Sequence, residues 1–330
     1  MQPTLPDVGP LTAAGLEQVL TAAMAAPSLH NSQPWSFSVN PAGITVHADL
    51  TRALPAADPD HRELLLACGA AVLNLRLAIR AQGVGTTVTL LPDPRDRTVV
   101  ARIVPSGRQR TTAAESSLAA AIPHRHTNRR PMDATDLPPG VLEQLRDAAR
   151  VESCWLAPLS TASTYEAGAL VVLANRAQQS DAAYCKEFAE WTGRGPDTVD
   201  GVPATSSGPL PEPQDRLLLR DFSGGTAQQR PPGKDFESDP LLVVIGSFHD
   251  LPLAWIQAGA AMQRVLLAAT AAGLATSFLS QLIEVTFARD RLRELIGGAL
   301  WPQAVLRLGR GLPGVASPRR PLAEVVVTPR

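Results

Sequence analysis

The chain has 330 residues, with 30 lysines and arginines against 31 aspartates and glutamates and a formal net charge of -1. That balance gives no global field to recruit nucleic acid, an anionic membrane or a polyanionic substrate, so any anion site has to be local. Cys68, Cys154 and Cys185 are widely spaced and form no CxxC pair, which argues against a disulfide framework and a zinc site and suits a reducing cytoplasm.

Met1 to Pro10 lacks the basic flank and apolar stretch of a secretory signal, and the apolar run Leu64 to Ile79 is interrupted by Asn74 and Arg76, so no membrane span is expected. Leu16, Val19, Leu20 and Ala23 recur at helical spacing and predict an amphipathic helix from Thr12 to Ala26, closed by Pro27. Alternating strands follow at Trp35 to Val39 and Ile44 to Ala48, joined as a hairpin through Pro41-Ala-Gly43. A long buried helix, Arg62 to Gln82, stops at Gly83 and leads into strands at Thr86 to Leu91 and Thr98 to Val104. Further along, Leu241 to Gly246 reads as a buried strand and Ala254 to Ala272 as a long helix stopped by Gly273. Strand Leu274 to Leu279, helix Phe287 to Ile296, strand Ala304 to Leu308 and a last strand Ala323 to Val327 complete the reading. Hairpin-joined strands in a helix-rich chain predict an α+β fold with mixed sheets flanked by helices.

Two segment pairs repeat. Gly15 to Ala23 matches Val141 to Ala149, and Gly69 to Thr86 matches Gly259 to Thr276 with both glycines, Ala70/Ala260, Leu77/Leu267 and Gly83/Gly273 identical. Matched order implies two tandem degenerate halves, 1–115 and 116–330. The second carries an insertion whose proline-, glycine- and serine-rich tail runs from Gly193 to Gly233. A long irregular excursion of that kind, about 190–236, reads either as an active-site lid or as a mobile surface loop.

Three clusters fall outside the repeat. Pro27-Ser-Leu-His-Asn-Ser-Gln-Pro-Trp35 crowds neutral donors and acceptors before a strand, whereas its counterpart, Arg150 to Trp155, has lost them. His124-Arg-His-Thr-Asn-Arg-Arg130 precedes the second-half helix, whereas Pro6 to Ala14 has no arginine. Ser317-Pro-Arg-Arg-Pro321 is the third. Each half keeps what the other lacks, so one site is expected from the pair. Guanidiniums beside a threonine hydroxyl and a histidine suit a phosphate-bearing ligand, and the Ser-x-x-Asn-x-Gln run suits the edge of a heterocycle. Other readings are weaker. His30 and His126 have no carboxylate or thiolate at ligand spacing for a metal, Gly83-Val-Gly85 lacks the third glycine of a dinucleotide fingerprint, and the basic run has no interleaved aromatics for nucleic acid.

Pro27-Ser-Leu-His-Asn-Ser-Gln-Pro-Trp35 resembles the Pro-Ser-x-x-Asn-x-Gln-Pro-Trp motif of FMN-dependent nitroreductases, and Arg125-His-Thr-Asn-Arg129 resembles their opening Arg-x-Ser-x-Arg/Lys motif. Ala272-Gly-Leu-Ala-Thr-Ser277 and Arg319-Arg-Pro-Leu-Ala-Glu-Val325 are similar to two further family segments. The order of motifs inside one chain is similar to the Acg branch, in which fused halves stand for a dimer and a lid can cover the flavin. The resemblance implies FMN as cofactor and NAD(P)H as reductant, with a nitroaromatic, a quinone or a similar small molecule as electron acceptor. It implies no catalytic side chain, since flavin N5 carries the chemistry, and either a monomeric pseudo-dimer or a homodimer. It also implies that Arg125, Thr127 and Arg319 hold the phosphate and ribityl chain, that Arg129 lies at the pyrimidine edge, and that His126 belongs to the cofactor site beside them. Ser28, Asn31 and Gln33 would reach the ring from the other half, with His30 among the cofactor-binding residues, and Ser280 and Gln281 would fall where the family contacts N5. Ser280-Gln281 replaces the family's usual acidic-Gly pair. A lid that closes fully would instead make the chain an FMN-sequestering or redox-sensing protein.

Overall fold

The computed structural model describes residues 5–132, 137–195, 197–210, 217, 219–226, 241–312 and 314–328. In chain order they form α1 (Ala13–Met24), β1 (Trp35–Asn40), β2 (Gly43–Ala48), α2 (Arg62–Ala81), β3 (Val84–Leu90), β4 (Val99–Arg108) and α3 (Ala113–Ala121). Then come α4 (Val141–Val151), β5 (Trp155–Pro158), α5 (Thr161–Gln179), α6 (Ala182–Trp191), β6 (Leu241–Ser247) and α7 (Pro252–Ala271). The chain continues with β7 (Ala275–Phe278), α8 (Gln281–Glu284), α9 (Thr286–Leu295), β8 (Trp301–Gly309), α10 (Leu322–Val325) and β9 (Val326–Val327). The α+β architecture matches expectation. One sheet has the order β3-β4-β2-β1-β9 and the other β5-β6-β8-β7.

Local chemistry sets the boundaries. Thr12 accepts from the Gly15 N–H to open α1, whose buried Leu16, Val19, Leu20 and Ala23 share one face. The Asp58 carboxylate accepts from the N–H groups of Glu63 and Leu64 and so caps α2 from three residues before its N-cap. Gly83 and Gly273 end α2 and α7 with φ of +73° and +74°, a left-handed turn that an L side chain resists. By length and composition α2 could cross a bilayer, but most of its surface is buried inside the protein.

The two long helices meet at those matched glycines. A Cβ on Gly69 would lie 2.0 Å from the Ile256 carbonyl oxygen, and one on Gly259 would lie 1.9 Å from that of Leu66. Leu66 and Ile256 stand at the same distance before their own glycines, so the contact is reciprocal, as in an isologous interface. Gly69→Val is therefore expected to cost about 3 kcal/mol or more, because the obstruction is backbone. Urea unfolding measures this, and an unchanged midpoint would refute the close packing.

Matched in chain order, β1 to β4 and β5 to β8 have the same neighbours. The sheets differ at one edge. β9 pairs in parallel with β1, Phe37 opposite Val326 and Ser38 opposite Val327, so the first sheet is mixed. The strand pairings of the second are antiparallel. Pro158 ends its edge strand β5 and has no N–H to offer a further neighbour. One expectation needs correction: the strand expected at Ala323 to Val327 is helical as far as Val325. The division expected at 115/116 falls within α3, whose start is fixed by a capping box of Thr112 and Glu115. The expected insertion, about 190–236, is described only in part, and residues 227–236 lie outside the described residues.

Candidate active site

One large hollow collects most of the expected residues. It encloses about 1180 Å³, open mouth included, and is lined from the loop after α1, the start of α2, the 125–129 segment, the insertion, the end of β7 and the C-terminal arm.

The loop after α1 is conformationally costly. His30, Asn31 and Gln33 have φ of +48°, +55° and +52°, a region non-glycine residues seldom occupy outside functional loops. Hydrogen bonds hold it there. The Ser28 hydroxyl accepts from the Gln33 N–H at 2.9 Å. Asn31 donates to the carbonyls of Gly201 at 2.9 Å and Pro318 at 3.1 Å, and its own oxygen accepts from Arg319 Nη1 at 2.9 Å. Gln33 donates to Val199 O and accepts from the Arg320 N–H, both at 2.9 Å. Gln33 is fully buried and does not line the hollow. Its expected contact with a ligand is thus corrected to a clamp between the loop, the insertion and the C-terminal arm.

Three guanidiniums line the hollow close to this loop. Arg319 donates to the carbonyls of Met24, Ala25 and Ala26, closing the C-terminal end of α1. Arg125 makes one long bond, 3.3 Å to Ala25 O, and its Nε and Nη1 are buried without a partner. Arg129 donates to Ser206 O at 3.1 Å and lies 4.7 Å from the Phe222 ring centre. Burial, then Arg319 and Arg129, pulls Arg125 down to about 9, and burial alone pulls Arg129 and Arg319 to about 10. No carboxylate among the described residues offsets that charge. Buried cations without counter-charge are costly, so the arrangement is suited to an anionic ligand.

The 125–130 segment is stitched to edge strand β7. Thr127 forms a parallel bridge with Thr276, Asn128 N donates to Thr276 O at 2.8 Å, and Arg307 donates to Asn128 O and Arg130 O. Thr127 and His126 therefore line the hollow beside Arg125. Burial, then Arg125 and Arg319, lowers the His126 pKa. His30 also lines the hollow, with Nε2 unpartnered. Its ring meets Phe188 edge-on at 5.2 Å, and burial drops its pKa to about 4, so it is neutral at pH 7.

Ser280 and Gln281 line the hollow where β7 turns into α8. Ser280 accepts from Arg220 at 3.0 Å, and the same guanidinium grips Glu284 at 2.6 and 3.0 Å and Gln178 at 2.7 Å. Burial pushes Glu284 up, but Arg220 outweighs it and holds the carboxylate at about 2. The Arg220–Glu284 pair is nearly inaccessible, and the sequence reading missed it together with Glu63 and Phe222. A signal existed. Leu217-Leu-Leu-Arg-Asp-Phe222 is an apolar run inside a proline-, glycine- and serine-rich tract, which marks a docked segment more than a free one.

Residues 122–310 match the model of the Nitroreductase family. The chain belongs to that family. Two Mycobacterium tuberculosis proteins, both provisionally named NAD(P)H nitroreductases, align along most of its length. One is 34% identical over 318 residues, covering 94% of this chain and 90% of its own. The other, acg, is 33% identical over 318 residues, covering 94% of each. A solved FMN-bound nitroreductase from Desulfitobacterium hafniense is 14% identical, with a TM-score of 0.41 over 65% of this chain and 98% of that one.

In this member of the family, ten of the eleven expected site residues line the hollow, all but Gln33. The insertion forms part of the wall. A Cβ on Gly208 would lie 1.8 Å from Arg129 O, and Phe222 faces Arg129 and His30 together. Asp200 anchors the insertion's base to Arg52 and Arg194.

Proposed function

We propose that this chain is an FMN-binding oxidoreductase that moves hydride from NAD(P)H to a nitroaromatic, a quinone or a similar small acceptor. The observation that carries this reading is the buried trio Arg125, Arg129 and Arg319, with two nitrogens of Arg125 unanswered. A phosphate presents oxygens that match a guanidinium fork, and each such charged bond contributes ~1.5–3 kcal/mol. Arg125, His126 and Thr127 would hold the phosphate, with Arg319 bracing the loop behind them. Arg129 would face the pyrimidine edge, and Ser28, His30, Asn31, Ser280 and Gln281 would complete the enclosure. Bound FMN supplies a ring that takes hydride at N5 and gives it to a second substrate. The chain supplies fixed positive charge, a dry enclosure and orientation, and no side-chain nucleophile is required.

The same reading takes 1–115 and 116–330 as tandem degenerate halves in place of two subunits, which the reciprocal Gly69 and Gly259 contacts support. It places the protein in the cytoplasm, where free Cys68, Cys154 and Cys185 remain reduced. The chain would act as a monomer or pair as a homodimer.

Stopped-flow mixing of the flavin-loaded protein with NADPH or NADH tests the reading. Bleaching of the flavin band, with turnover of a nitro acceptor, is the expected result. A protein that takes up no FMN would overturn it. The grip of the insertion on Arg129 through Ser206 and Phe222 favours a second reading, an FMN-sequestering or redox-sensing protein. A yellow sample inert to both nucleotides would select that one.

A further inference from the structure

Reducing a quinone or a nitro group requires a proton as well as a hydride, and the hollow contains a group suited to give it. Among the described residues that line the hollow, Glu63 is the only carboxylic acid. It lies in the first turn of α2, fixed by the Asp58 cap on its own N–H at 3.1 Å. We infer that Glu63 is the proton donor to the acceptor in the oxidative half-reaction, an inference that rests on the flavin reading above.

The surroundings of Glu63 are arranged to keep its proton. Arg220, from the insertion, is committed to Glu284 on α8 at 2.6 Å and to Gln178 on α5 at 2.7 Å. Arg62, beside Glu63, donates to Ile283 O at 3.0 Å and reaches no closer than 3.9 Å to the Glu63 carboxylate, beyond hydrogen-bond range. Asp58 already occupies the positive end of α2, which would otherwise favour ionisation. Burial, reinforced by the ionised Glu284 and Asp58 and opposed by Arg62 and Arg220, raises the Glu63 pKa well above the ordinary carboxylate range. Tyr184 on α6 shares this environment. An acid that faces the hollow and holds its proton more tightly than an ordinary carboxyl is placed to donate it.

The step balances simply. For a quinone, hydride from the reduced flavin adds one bond to hydrogen and the two-electron charge. The O–H bond of Glu63 breaks, its proton goes to the acceptor oxygen, and the product is the hydroquinone. Glu63 is left as a carboxylate and regains a proton from solvent. NAD(P)H is the reductant that reloads the flavin. The other candidates in the hollow are poorly suited. His30 and His126 both have lowered pKa values, and the guanidiniums hold their protons tightly.

Glu63→Gln tests the inference, because it keeps the shape and loses the acid. Flavin-reduced protein is mixed with a quinone, which takes up protons, and separately with ferricyanide, which takes electrons alone. Quinone reoxidation is expected to slow ~100-fold or more and to lose its dependence on the protonated acid, with ferricyanide reoxidation unchanged. Glu63→Asp should recover part of the quinone rate. In flavin-free protein, difference infrared spectroscopy should show a carboxylic C=O band that persists at pH 7 in the wild type and is absent in Glu63→Gln. A yellow variant that quinone reoxidises at the wild-type rate overturns the role of Glu63 and leaves the flavin reading standing. A protein that binds no flavin overturns both, and an infrared titration in the ordinary carboxylate range overturns the donor by itself.

Discussion

Arg125→Met is expected to raise the unfolding temperature of the flavin-free protein while abolishing its retention of FMN through purification. Ordinarily a substitution that ruins a binding site is neutral or harmful to the fold. Here the guanidinium is buried, pulled down to about 9 by burial and by its arginine neighbours, and two of its nitrogens have no partner. Removing such a group relieves a penalty of about 1–3 kcal/mol per unsatisfied polar group, less the single 3.3 Å bond to Ala25 O. With the anion bound, the sign reverses, and loss of two charged hydrogen bonds lowers affinity by ~100-fold or more. Arg319→Ala provides the contrast. Its donors are taken up by Met24, Ala25, Ala26 and Asn31, so it should lower affinity ~10-fold or more and also lower the flavin-free unfolding temperature. Thermal shifts of both variants, with and without FMN, decide the matter. An Arg125→Met protein that is less stable without flavin would refute the account of an uncompensated cation.

Arg220→Ala should be more damaging still to the fold. It leaves the Glu284 carboxylate buried opposite Glu63 with no counter-charge, and breaking one side of a buried pair costs about 3–5 kcal/mol. The double variant Arg220→Leu/Glu284→Leu removes both charges and should recover most of that loss, a coupling that urea unfolding of the four-member cycle measures directly. Limited proteolysis should show cleavage within the 197–210 segment of the single variant. Acid provides an independent check. Glu284 and Asp250 both sit at about 2 in the folded protein, each pushed up by burial and pulled down further by Arg220 or Arg289. Their folded values lie below the unfolded ones, so their stabilisation is complete above about pH 4.3, the ordinary glutamate value, and is lost as pH falls toward 2. The stability of the double variant should therefore fall less steeply with pH in that window.

The helices and the hairpin were legible where apolar spacing and terminating glycines agree, as in α1, α2, α7 and the β1–β2 turn. Helix α5 was not. Its buried face runs from Ala167, Val171 and Ala174 into Asn175 and Gln178, and Gln178 answers Arg220 and Glu284 across the interface, so the apolar stripe is short and made largely of small residues. The last strand was misjudged because Val325 to Val327 reads as β-branched, whereas Arg320 reaches the Glu324 carbonyl and winds the segment into a turn of helix. The site was largely visible, since the Pro-Ser-x-x-Asn-x-Gln run and the arginine run are dense in chemistry. What sequence could not assign was which donor meets which acceptor. Gln33 has the groups to read a heterocycle, yet folding commits them to Val199 and Arg320. Likewise nothing in the order of residues distinguishes Arg125, left with open valences, from Arg319, which is saturated.

The C-terminal arm contributes to the pocket and then inserts β9 beside β1, at the opposite end of the sequence. On the ribosome, the early loop with its three left-handed residues emerges long before Arg319 and Arg320 exist to restrain it. A nascent chain halted ahead of residue 319 would therefore carry the recognition loop without the means to hold its shape.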